Sequence, residues 1–294
     1  MTSPPRPPTL SDFTTLPGGE SVAIAAGSPL VTLGAGATWW DKGTPVSVAL
    51  PAGVTPEGAR WIADGTLLVG LGTLDLATRS WRAIPALTSF NQLQPGFSSP
   101  VRQVAWLGDG AHVAILLETG NPPNRPAARR QEVVIATRDG RARGRLEVEA
   151  VTDMVAATDR VLVSGTKLQV LDLDARVIAT LPGMAVRASE GAGMFAVTRT
   201  GRHEVTLVRA DDGAAIAAWD VAVHDAVPVP HGVVAVDFEG TVRVGCVADG
   251  TVREVASVPS GAKAPIIRLV GDRIVLAGGG PSPVQTATFT NPCR

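Results

Sequence analysis

Four histidines, His112, His203, His224 and His231, are the side chains of this sequence best suited to bind a metal or move a proton. None stands in an H-x-H or H-E-x-x-H spacing. A metal site would have to be assembled from distant segments, so a structural role is expected for each: His112 and His231 in turns, His224 as a hydrogen-bonding residue of the core. The paired carboxylates Asp172 and Asp174, and Asp211 and Asp212, sit in turn-like sequence, where they are expected to cap bends. The glycine-rich pieces GAGAT at Gly34 and GGGPSP at Gly278 lack the following helix and the lysine of a phosphate loop. There is no G-x-S-x-G elbow, and Ser164 in VSGTK is expected to be a strand-end serine. No catalytic residue, no metal site and no cofactor are therefore assigned.

Two stretches carry a different chemistry. TSFNQLQPGFSSP (88–100) supplies Phe90 and Phe97 among polar residues, and GNPPNRPAARR (120–130) supplies Arg125, Arg129 and Arg130 on a proline-stiffened arm. Aromatic and arginine side chains are the usual anchors of protein interfaces, so these five residues are the candidate partner-binding set.

The elements that must position them follow from a repeat. Residues 152–183 divide into four short β-prone segments, TDMVAAT, RVLVSG, KLQVLDLD and ARVIATLPG, and the same four-part pattern recurs along the chain with Gly, Asp or Asn at the bends. The second segments, such as VLVSG and VAILL, are apolar on both faces; the fourth, such as RGRLEVEA, alternate. Four-stranded antiparallel units of this kind stack into a β-propeller. The last unit offers only three segments, PIIRLVGD, RIVLAGG and VQTATFT, while TLSDFTTLP (9–17) has no partners before it. Pairing the two closes the ring at seven blades, an average of 42 residues each over 294 residues. Residues 1–8 are expected to be a flexible leader and 9–294 a single propeller domain. Strand reversal puts both insertions of blade three on one face.

The pattern resembles WD-repeat and quinoprotein-like propellers. Trp40-Asp41 is similar to the dipeptide that closes a third strand in WD repeats. Asp211, Asp212 and Gly213, followed by a segment ending at Trp219, are similar to the acidic turn and docking tryptophan of quinoprotein-like repeats. His224 and Asp237 resemble the WD-repeat His and Asp network. No unit carries the full motif set, and Gly245-Cys246 stands where a tryptophan would fall. The general character also resembles the propeller members of bacterial systems that pair a MoxR-type AAA ATPase with a von Willebrand A protein.

Composition narrows the partners. Twenty-six basic and 27 acidic residues leave a net charge of -1, so no field draws nucleic acid or anionic lipid. No apolar run is long enough to cross a bilayer, and the N-terminus lacks an apolar signal core, which leads to a cytoplasmic expectation. The two cysteines, Cys246 and Cys293, are too few for a disulfide framework and are expected as a buried thiol and a thiol near a frayed end. The expected function is a non-catalytic scaffold or target-recognition subunit that binds protein partners. The competing class is a propeller hydrolase or lyase with a divalent metal in its channel.

Overall fold

The computed structural model describes residues 10–17, 23–91, 101–119, 130–183, 187–199, 204–258, 263–279 and 283–293. Within them, seven four-stranded antiparallel sheets stand around a ring as the blades of a β-propeller, and six of the sheets use strands consecutive in sequence. The seventh combines Lys263–Val270, Arg273–Gly279 and Val284–Thr288 with an outer strand, Thr14–Leu16, from the start of the chain. Thr14 pairs with Thr286 and Leu16 with Val284, and Leu10 makes a further bridge to Phe289. The Ser11 amide donates to the Thr288 carbonyl at 3.0 Å, and the Thr288 amide donates back to Ser11 Oγ at 2.9 Å. This is the closure that the orphan first segment requires.

Burial explains the segment textures. The second strands Leu67–Val69, Val161–Ser164 and Gly232–Val236 are buried at every position, because a neighbouring blade covers each face. The outer strand Thr44–Ala49 alternates between half-buried and exposed. Most apolar clusters bridge adjacent blades: Leu116 and Ile135 of blade three pack with Met154 and Val161 of blade four, and Leu162 and Val170 of blade four with Phe195 and Val197 of blade five. With no tyrosine in the chain, small branched side chains keep these contacts close. Trp219, at the end of Ala215–Asp220, reaches from blade five onto Gly245 of blade six. A Cβ on Gly245 would stand 3.0 Å from its ring, so the glycine makes room for the neighbour's tryptophan.

Three expectations change. Cys246 and Cys293 are not free thiols: they form a disulfide with Cα atoms 5.2 Å apart. The end of the chain folds back over blade six instead of fraying, held by Asn291 Nδ2 donating to the Pro230 carbonyl and by the Cys293 amide donating to Asn291 Oδ1. The 47-residue separation hides this pairing from any local spacing rule. The stretch before blade three contains a 3-10 helix, Pro85–Asn91, whose Leu87 is buried in the blade-three core. His224 and Asp237 do not form a shared network. Asp237 caps its own turn through the Glu239 and Thr241 amides and pairs with Arg243 at 2.7 Å, and His224 Nε2 is buried with no hydrogen-bond partner.

Removing residues 1–16 should lower the unfolding free energy by about 3 kcal/mol or more, because Leu10 leaves the core and the edge of Val284–Thr288 opens. An unchanged urea midpoint would count against the seam. Cys293→Ser should lower stability by about 2 to 4 kcal/mol, with the same loss in the wild-type chain after reduction, followed by chemical denaturation with and without reductant.

Candidate functional site

The innermost strands of the blades are Ala23–Ile24, Arg60–Trp61, Val101–Trp106, Asp153–Ala156, Arg187–Gly191, Asp225–Val229 and Lys263–Val270. They surround a central cavity of about 340 Å³. They all run the same way, so their first residues share one face of the ring. Near those starts a polar contact from one blade to the next recurs. Gln103 Nε2 donates to the Met154 carbonyl at 2.9 Å, Asp153 Oδ2 accepts from the Ala188 amide at 2.8 Å, and Asp225 Oδ2 accepts from the Ile267 amide at 3.0 Å. Each side chain thereby supplies a backbone group of the next inner strand with a partner that no ladder provides.

Asp153 also accepts from its neighbour's amide, Met154, and from Gln103. Burial pushes its carboxyl up despite the N–H donors of Ala188, Gln103 and Met154. Asp225 is fully buried and adds an ion pair with Arg268 at 2.7 Å. Toward the other end of the channel, Arg60 of blade two reaches across to Glu190 of blade five at 2.5 Å and donates to the Ala156 carbonyl of blade four at 2.7 Å. Glu57 and Arg187 also line the cavity. Burial raises the Glu57 carboxyl, with the Asp153 charge adding to the effect. Burial lowers His224, and the nearby Arg187 charge lowers it further, so the imidazole is neutral at neutral pH.

On the same face, the two insertions of blade three are anchored side by side. Val101 pairs with Leu117, and Thr119 pairs with Arg130. Phe90 is half-buried against the blade-three core, while Arg130 is exposed at the start of Arg130–Thr137. Phe97, Arg125 and Arg129 lie outside the described residues. In blade six the turn between the second and third strands carries Phe238, 67 % exposed, with its ring 4.4 Å from that of His224.

Asp172 and Asp212 cap bends as expected, while Asp174 pairs with Arg143 at 2.8 Å and His112 opens the strand His112–Thr119 instead of lying in a turn. Asp172 Oδ1 accepts from the Asp174 and Arg176 amides, and Asp212 Oδ1 accepts from the Ala214 amide. His112 Nδ1 is 2.5 Å from Asp109 Oδ2, and His231 is a turn residue with φ +61°. His203 lies outside the described residues. Among the described residues no three His, Cys, Asp or Glu side chains gather as a metal-ligand set. The channel residues were not singled out in the sequence. Their signal is an Asp at the same place in two units, TDMVA and HDAVP, with Gln in RQVAW, which appears only once the units are superposed.

Asp225→Ala should destabilise by about 3 kcal/mol or more, since it strands the Arg268 guanidinium and the Ile267 amide. Arg268→Met should cost less, because the carboxylate keeps its two amide donors. Equal losses in guanidinium titrations would contradict the blade-to-blade role.

No family model matches the chain, and no curated protein matches it. Among solved structures it is similar to a chain of the mitotic checkpoint complex, at 12% identity and a TM-score of 0.67, over 99% of this chain and 97% of that one. At that identity the likeness is one of fold, that of a β-propeller.

Proposed function

We propose that this chain is a non-catalytic interaction module whose partner is a protein bound on the face where the inner strands begin. The observation that supports it best is Phe238: a large aromatic, 67 % exposed, held by ring contact with His224 on the face that also anchors both blade-three insertions. Exposed aromatics on rigid supports bind at small entropic cost. Phe97, Arg125, Arg129 and Arg130 belong to this reading as the second anchor cluster, and half-buried Phe90 serves to fix the base of its loop.

The similar chain of the mitotic checkpoint complex works within a multi-protein assembly, and a scaffold role is proposed for this chain on the same fold. With charges nearly balanced, a protein partner is favoured over nucleic acid or a lipid surface. A bacterial source and a place beside a MoxR-type ATPase rest on the resemblance alone. The disulfide bears on compartment, because such bonds persist in oxidising surroundings. We therefore favour an oxidising compartment over the cytoplasmic location expected from the sequence.

Phe238→Asp should reduce co-purification of the partner at least about tenfold and leave the melting temperature unchanged, as should replacing residues 120–129 with a glycine-serine linker. Undiminished recovery with both variants would move the binding surface elsewhere.

A further inference from the structure

Among the described residues the ring of Phe238 meets one other ring, that of His224, with centroids 4.4 Å apart and planes tilted by 47°. The histidine is itself fixed from behind. Its backbone amide donates to the Val236 carbonyl at 2.7 Å, which ties the entry of Asp225–Val229 to the end of Gly232–Val236, just before the turn that carries Phe238. The side chain is buried, and its Nε2 has no hydrogen-bond partner. A neutral ring with its proton on Nδ1 leaves Nε2 a bare acceptor, so the site accommodates an uncharged imidazole.

A second proton changes this. The imidazolium carries an N–H at Nε2, buried where nothing accepts it. The charged groups around it are already committed or of the wrong sign. On the strand Arg187–Gly191, Arg187 is another cation and Glu190 is taken by Arg60. Asp225 is bonded to the Arg268 guanidinium and to the Ala226 and Ile267 amides. Asp237 serves the Glu239 and Thr241 amides and Arg243, and Glu239 is exposed to water. The attraction of a cation for the Phe238 face is small at an exposed site, weaker than the cost of a buried charged donor without an acceptor.

We propose that His224 is a proton-operated latch for Phe238: the neutral ring holds the phenyl group in place, and protonation turns the imidazole toward water and sets the phenyl group free. Burial and the Arg187 charge outweigh the pull of the Asp225 carboxylate, so the ring takes its proton only below the ordinary histidine value. The stability of the latched contact is therefore complete above the unfolded value of about 6.5 and is lost as pH falls through the lower folded one. As regulation this rests on Phe238 being the partner anchor proposed above. A loosened ring must be ordered again on binding, so a partner is held at neutral pH and shed in mild acid.

The test labels the full chain with fluorinated phenylalanine and assigns the Phe238 resonance by its loss in Phe238→Leu. Fluorine NMR then follows it from about pH 8 to about pH 5 while proton–carbon NMR titrates His224. The Phe238 resonance should move most of the way to its position in the urea-unfolded chain, with the midpoint of His224, while those of the buried Phe195 and Phe289 stay in place. In His224→Gln, or in His224→Leu should the first not fold, the response to pH should vanish. Co-purification that depends on Phe238 should fall at least about tenfold over the same range. The latch is overturned if Phe238 stays put while His224 titrates, if His224 takes no proton before the core resonances change, if the variant responds as the wild type does, or if Phe238-dependent co-purification is undiminished in acid. The NMR readouts need no partner: a resonance that moves with His224 while Phe238→Asp leaves co-purification intact sinks the anchor reading alone, and a resonance that stays put while Phe238→Asp abolishes co-purification sinks the latch alone.

Discussion

The last sheet of this ring has only three strands from its own stretch of chain and becomes a four-stranded blade through a strand from the start of the chain: three residues, Thr14–Leu16, perform that closure. The rest of the architecture inherits its geometry from this short pairing. Each blade buries its faces against two neighbours, so a gap at one junction would expose the continuous apolar surfaces of Val284–Thr288, Arg273–Gly279 and, in turn, blade one. The Leu10 side chain, sunk beside Phe289, adds hydrophobic weight to a zipper that is otherwise too short to hold.

Around the channel the closure is reinforced by a second kind of bond. The inner strands of adjacent blades share only scattered backbone bonds, such as the bridge between Ala26 and Arg60, and Gln103, Asp153 and Asp225 each satisfy a further main-chain group of the next strand. The cost of burying those carboxylates is met by hydrogen bonds and, for Asp225, by Arg268. A rigid inner ring follows, and with it a fixed distance between charges on opposite blades. That fixed distance is why Arg60 of blade two and Glu190 of blade five can meet across it.

The sequence was most legible where periodicity speaks. The buried second strands, the alternating outer strands, the aspartate-capped turns and the three-strand final unit all leave a local trace, and the blade count follows from them. What escaped depends on contacts between residues far apart in the chain. The Cys246–Cys293 bond joins a strand end to a returning tail, and neither cysteine has a local signal. Trp219 fits Gly245 across a blade boundary, so the missing tryptophan in blade six is the mark of a neighbour's ring. His224 and Asp237 lie close in sequence and resemble a familiar network, but the nearer Arg243 took the carboxylate. The channel charges are scattered single residues whose relation exists only once blades two and five stand opposite each other.

The two ends of the described chain are fastened to adjoining sectors by unlike means: Thr14–Leu16 by hydrogen bonds to the last sheet, Cys293 by a covalent link to the sheet before it. Tension pulling the ends apart would thus meet an unbreakable anchor on one side and a peelable one on the other. The ring would unfasten in one direction, starting at its amino-terminal strand, and a protein attached there would sit at the hinge of any such opening.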